Sequence, residues 1–187
     1  LRSQEIKSII DKAGEIYGLW FQACLAIAWL FGKRISEILT LKREDCSFDS
    51  EYIHIRFLVL KKSRRKKTGQ KISKDEYERK NRFLKRISVK NPYAHYIIDH
   101  LDQVETGWLF TIEGRRVSRF QLHRRLKKCD PNAWFHLFRH SLATVMAERG
   151  ATETELMSWF DWTAPKVAHG YVVRGPKLTE RLSNRTW

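Results

Sequence analysis

A mainly α-helical α+β domain with one small antiparallel β-sheet or hairpin is the fold that the sequence predicts. Three observations predict it. Trp20 to Phe31 is apolar almost all round, Tyr52 to Leu60 is a β-branched and aromatic run, and the last third is patterned as helices broken by turn residues. No repeat and no Pro/Gly-rich linker divides the 187 residues, which suffice for one sizeable core.

The elements follow in chain order. A helix apolar on every side belongs inside a core, so Trp20–Phe31 is expected to be buried, with Gly32 as its stop. "RISEILTL" then places Ile35, Ile38 and Leu39 on one face, which predicts a short amphipathic helix beginning near Arg34. "YIHIRFLVL" alternates, with Ile53, Ile55, Phe57 and Val59 on one side of a strand. "RFLKRISV" is expected to return beside it, closing a long hairpin with a mobile, charged tip.

Asn91-Pro92 offers an N-cap and a first-turn proline for a helix carrying Ile97, Ile98, Leu101 and Val104. Ser118 with Gln121 forms a capping box for a helix through Lys128, and Thr152 with Glu155 forms another. Between them Leu142, Val145, Met146 and Arg149 keep helical spacing up to Gly150. Thr163 is placed to cap a last short helix containing Pro165 and leading to Gly170-Tyr171. Trp20, Trp29, Trp134 and Trp159 are assigned to the core, and His140 and His169 to packing or surface.

Charge narrows the function. Lys and Arg number 36 against 21 acids, a net +15 that calls for an anionic partner such as nucleic acid. Membrane insertion is disfavoured, because the longest apolar run has nine residues where a span needs roughly 20. The three cysteines form no C-x-x-C pair and fit reduced thiols; no metal site is expected. Between Lys61 and Lys90 fourteen basic residues meet only three acids, which favours contact with a phosphate backbone over a merely solvated loop. The basic helix after Ser118 adds Arg119, Arg124 and Arg125 as DNA-facing candidates.

Three separated pieces carry the chemistry. "RISE" sets Arg34 and Glu37 three apart, hence on one helix face, and "HLFRH" does the same for His136 and Arg139. "DWTAPKVAHGY" places Trp162 nine residues before Tyr171. Singly each piece is weak, but their order and spacing together are specific. They resemble the catalytic domain of the tyrosine recombinases, or phage-type integrases, over about Trp20 to Tyr171. The pieces match the family's Arg-x-x-Glu box, its His-x-x-Arg box, and a His-or-Trp position followed by the nucleophilic tyrosine.

Several expectations follow from that resemblance. Tyr171 would attack a DNA phosphodiester and form a 3′-phosphotyrosine, with no cofactor or metal. Arg34 and Arg139 would grip the phosphate, since guanidinium forks stay charged and bind it bidentately. His136 would serve as general acid/base, Trp162 as a neutral donor, and Glu37 would orient Arg34 or His136. The family's hairpin lysine, which protonates the departing 5′-oxygen, falls on Lys61 or its neighbour Lys62. Lys62, Arg64, Arg65, Lys66 and Lys67 would hold the backbone of double-stranded DNA.

Two departures stand out: Asp161 replaces the glycine usual before the His-or-Trp position, and the hairpin is longer and more basic than the family's usual one. Residues 1–187 are expected to form the C-terminal catalytic part of a longer integrase, lacking the upstream core-binding domain. The family acts as tetramers on DNA, while the isolated domain is left open between monomer and oligomer. A cytoplasmic, DNA-associated location and a viral or mobile-element source are expected. The alternatives are a nicking-closing enzyme of the type IB topoisomerase class, or a non-catalytic DNA-binding module.

Overall fold

The computed structural model describes residues 3–60 and 72–173. Its centre is the helix α2 (Leu19–Phe31), ten of whose thirteen residues are buried. Helix α1 (Ser3–Tyr17) lays Ile6, Ile9, Ile10 and Ala13 against it, the face set by 3–4 spacing. Helices α5 (Ala94–Gln103) and α7 (Phe135–Glu148) pack on other sides of α2. Gly32 ends α2 in the left-handed conformation, φ 57°, as the sequence predicts.

The expected short helix is α3 (Ile35–Ile38), a single turn with Arg34 as its extended N-cap. The chain then forms a three-stranded antiparallel sheet: β1 (Cys46–Phe48), β2 (Tyr52–Leu58) and, further on, β3 (Arg82–Ser88), in that order. On β2, Ile53, Ile55 and Phe57 are fully buried, as period-two patterning requires, and β3 returns with Ile55 opposite Lys85. The hairpin is therefore as expected, but its charged excursion contains the helix α4 (Lys74–Asn81). Tyr77, buried and donating to the Val59 carbonyl at 2.9 Å, and Asn81, whose carbonyl accepts the Val59 amide, anchor that helix; one buried aromatic leaves no periodic signal. Ser73 caps α4 by accepting from the Glu76 amide.

Helix α5 starts later than Asn91-Pro92 suggested. Asn91 instead accepts the Tyr93 amide in an Asx turn, and Tyr93 is the N-cap. A two-residue hairpin follows, β4 (Thr111–Ile112) and β5 (Arg115–Arg116), turning through Glu113 and Gly114, both at positive φ. Both expected capping boxes are present: Ser118 with Gln121 opens α6 (Arg119–Cys129), and Thr152 with Glu155 opens α8 (Glu153–Phe160). The last helix, α9 (Pro165–Val173), begins two residues after Thr163 and contains Tyr171.

Two apolar clusters result among the described residues. The larger gathers α1, α2, α5, α6, the sheet and the buried start of α7; the smaller is Ala143, Ala147, Leu156, Phe160 and Ala168, shared by α7, α8 and α9. Trp29 is buried, but Trp134 is 47% exposed, so its assignment to the core is corrected: it is the N-cap of α7, and its extended backbone turns the indole outward. Cys24, Cys46 and Cys129 are buried free thiols. No helix among the described residues is long and apolar enough to cross a membrane.

Candidate active site

The three boxes meet where the two clusters join. Glu37, only 1% exposed, accepts from the Arg34 amide at 3.0 Å and from Arg34 Nη1 at 3.0 Å. The first bond satisfies a helix-start N–H; the second fixes the guanidinium beside it. Of the two partners expected for Glu37, Arg34 is the one it is bonded to here.

Arg139 is buried on α7. Its Nη1 donates to the Gly32 carbonyl and its Nη2 to the Phe160 carbonyl, each at 2.6 Å. One fork thus joins the end of α2 to the end of α8, two helix termini whose last carbonyls lack intrahelical partners. The guanidinium lies 4.9 Å from the Phe160 ring centroid and 5.4 Å from that of Trp162. Burial, then the neighbouring charge of Arg34, lowers its pKa to about 10, while Glu37, Asp161 and Tyr171 act in the opposite direction. Two guanidiniums close enough to oppose one another's charge form a place where an anion gains.

Gly32 permits this junction. A Cβ there would come within 2.3 Å of Phe160 Cε1, and its φ already disfavours any other residue. A second tie runs alongside: Lys33, 2% exposed, donates to the Asp161 carboxylate, and Lys85 from β3 pairs with the same carboxylate at 3.3 Å. Lys85 also donates to the Ser158 carbonyl. Burial lowers the pKa of Lys33, an effect that Asp161 offsets. Asp161 holds φ 53° as the C-cap of α8, the left-handed position its family counterpart glycine would suit. Its charge, which would repel a phosphate, is covered by two ammonium groups.

Trp162 stacks on Phe160 at 4.7 Å and on Tyr171 at 5.3 Å, nearly parallel in both cases. The Tyr171 hydroxyl is hydrogen-bonded to His140 Nδ1. Burial raises the phenol above its usual pKa, and the Arg139 charge opposes that rise. His140, assigned to packing or surface from sequence, thus contacts the phenol directly; helical spacing from His136 was the available signal. His169 pairs with Glu153 at 2.7 Å on the exposed side of α9.

His136 is exposed and lines a cavity of about 220 Å³ with Lys33, Arg34, Ser36, Arg119 and His123. Arg124 is also exposed on α6, whereas the guanidinium of Arg125 is engaged over the rings of Tyr17 and Trp20, at 5.5 and 5.8 Å. Lys61, Lys62, Arg64, Arg65, Lys66 and Lys67 lie outside the described residues. Pairwise contacts therefore link Arg34 and Glu37 to Arg139, Trp162 and Tyr171, with His136 beside Arg34 in the cavity and edge-on to His140, and Lys33, Lys85, His140 and Asp161 join the set.

Comparison with known proteins identifies the family and the fold. Residues 1–174 match the phage integrase family. The integrase of Mycobacterium phage D29 is 28% identical over 185 residues, covering 92% of this chain and 48% of that protein. The integrase of Mycobacterium phage FRAT1 is 26% identical, covering 92% and 54%, so the chain spans about half the length of these relatives. Among solved structures, XerA recombinase superposes with a TM-score of 0.70 at 14% identity, covering 100% of this chain and 65% of that one. The catalytic domain of bacteriophage HP1 integrase gives 0.58 at 14% identity, covering 100% and 98%. The chain belongs to the phage integrase family and has the fold of a tyrosine recombinase catalytic domain.

Proposed function

We propose that the chain is the catalytic part of a site-specific DNA recombinase that cuts and rejoins strands through a 3′-phosphotyrosine link at Tyr171. The observation that carries this reading is the Arg139 junction. One buried guanidinium sits beside Arg34 and over Trp162, whose ring stacks on the tyrosine. In this reading Arg34 and Arg139 stabilise charge on the non-bridging phosphate oxygens, and Trp162 Nε1–H donates to one of them. Glu37 positions Arg34, and His136 supplies acid–base assistance at the phosphate. Lys61 or Lys62 protonates the leaving 5′-oxygen. The phosphodiester energy is kept in the phosphotyrosine, so a 5′-hydroxyl from another strand can displace Tyr171 without cofactor or metal.

Double-stranded DNA is the substrate in this reading. The excess of 15 positive charges supports it, as does the XerH recombinase, solved bound to palindromic difH substrate with a TM-score of 0.68. Arg119 and Arg124, with Lys62, Arg64, Arg65, Lys66 and Lys67, would hold the backbone, and assembly on two duplexes would be tetrameric. Sheared genomic DNA from the cell that carries the gene, incubated with the protein and then denatured in SDS, tests the reading. A covalent protein–DNA adduct is expected, and none with Tyr171→Phe. No adduct with wild-type protein would leave a DNA-binding module. Exchange of strands between two captured sites, rather than relaxation of supercoils alone, separates a recombinase from a topoisomerase.

A further inference from the structure

Tyr171 has a hydrogen-bond partner to which none of the three sequence boxes gives a role. His140 follows Arg139 on α7 and lies one turn beyond His136, whose ring meets it edge-on at 5.0 Å. Its Nδ1 faces the Tyr171 hydroxyl across α7 and α9, with the ring centroids 5.6 Å apart. We propose that His140 is the base that takes the proton of Tyr171 during strand cleavage, a catalytic residue distinct from His136; the proposal rests on the reading of Tyr171 as nucleophile.

The surroundings favour this assignment. Burial makes the Tyr171 phenol harder to ionise, so attack requires a proton acceptor at its oxygen. The carboxylates of the cleft are committed elsewhere: Glu37 to Arg34, and Asp161 to Lys33 and Lys85. Arg139 is a donor to two carbonyls and cannot accept. A neutral His140 with its proton on Nε2 presents a lone pair at Nδ1. Its side of α7 is exposed, so solvent can exchange the proton afterwards. His136, lining the same cavity as Arg34, is placed for the phosphate instead.

The step balances. The Tyr171 O–H proton passes to His140 Nδ1, and the phenolate oxygen forms the new bond to phosphorus. The P–O5′ bond breaks with its electron pair on O5′, which takes a proton from the general acid. In rejoining, a 5′-hydroxyl attacks, the phenolate departs, and His140 returns its proton.

The test compares wild type with His140→Asn on a nicked suicide duplex carrying the captured site. The Asn amide oxygen can stand where Nδ1 stands and accept a hydrogen bond, but it cannot carry the proton. Single-turnover adduct formation is expected to slow about 10²–10³-fold, with melting temperature and duplex affinity unchanged. A 5′-bridging phosphorothiolate duplex, whose thiolate leaves without a proton, should not restore the rate. Replacing Tyr171 by a more acidic fluorotyrosine should shrink the difference between the two proteins. If His140→Asn stays within about tenfold of wild type, or if the thiolate duplex restores it, His140 is not the base. Failure of the wild type to form any adduct overturns the nucleophile reading, and this proposal with it.

Discussion

The two apolar clusters differ in what they carry. The larger one surrounds α2 with fully buried Phe21, Leu25, Ile27 and Phe31, and it supports the Arg34 side of the cleft. The smaller one has five buried residues, three of them alanine, and it supports Trp162 and Tyr171. Among the described side chains of α9, Ala168 is the buried member of that cluster, with Tyr171 and Val172 half-buried against it. The cations that would grip a phosphate are therefore anchored in a deep core, while the tyrosine rides on a thin one. Burial of apolar area sets how costly local opening is, so α9 should open more readily than α2. In the proposed reaction, which must be started and reversed, fixed charge would be paired with an adjustable nucleophile.

Arg139 joins the two clusters, so its removal should have the largest effect. Arg139→Ala is expected to lower adduct formation at least about 10²–10³-fold. It should also cost roughly 2–4 kcal/mol in denaturant melts, because two carbonyls lose charge-assisted donors. Arg139→Lys should restore little, since one ammonium cannot reproduce a planar fork. Normal cleavage by either variant would break the claim that this junction organises the site.

Core truncations sharpen the comparison next. Leu25→Ala should cost about 3–4 kcal/mol and raise hydrogen exchange throughout. Leu156→Ala should cost less, about 2–3 kcal/mol, with faster exchange concentrated in α8 and α9. Identical exchange patterns in the two variants would mean that the clusters unfold as one unit.

The ion tie gives a smaller, diagnostic effect. Asp161→Ala leaves the buried Lys33 without its nearest carboxylate and should cost about 1–3 kcal/mol. Lys33→Leu combined with Asp161→Gly should recover most of that loss, because glycine suits the left-handed φ and leucine can pack on the Phe57 ring that Lys33 now faces. No recovery in chemical melts would show that the tie is not a replaceable unit. Smallest of all, Ser118→Ala on α6 and Thr152→Ala on α8 should each cost about 1 kcal/mol through lost caps.

Much of this arrangement was legible in the sequence for local reasons. Gly32, the alternation of β2 and both capping boxes follow from backbone geometry within a few residues. Arg34 with Glu37, and His136 with Arg139, were readable because helical spacing puts each pair on one face. What escaped depends on distant partners. Lys33 and Asp161 are 128 positions apart, and Lys85 reaches them from a strand, so no window contains the tie. The Tyr171–His140 bond spans 31 positions; helical spacing from His136 is a local sign for His140, but it names no partner. Helix α4 was missed because its only buried aromatic is Tyr77, too little for an apolar stripe. Trp134 was assigned inward on hydrophobicity alone, which ignores an extended cap position.

Gly32 sets the gauge of the whole cleft by an atom it lacks. With φ at 57° and Phe160 Cε1 2.3 Å from where a methyl would sit, one added carbon would act as a shim between two helix ends. The Phe160 ring would have to shift, disturbing the helix end whose carbonyl Arg139 binds. If the proposed chemistry holds, machinery for a single phosphorus centre is calibrated, at one point of its frame, by a hydrogen.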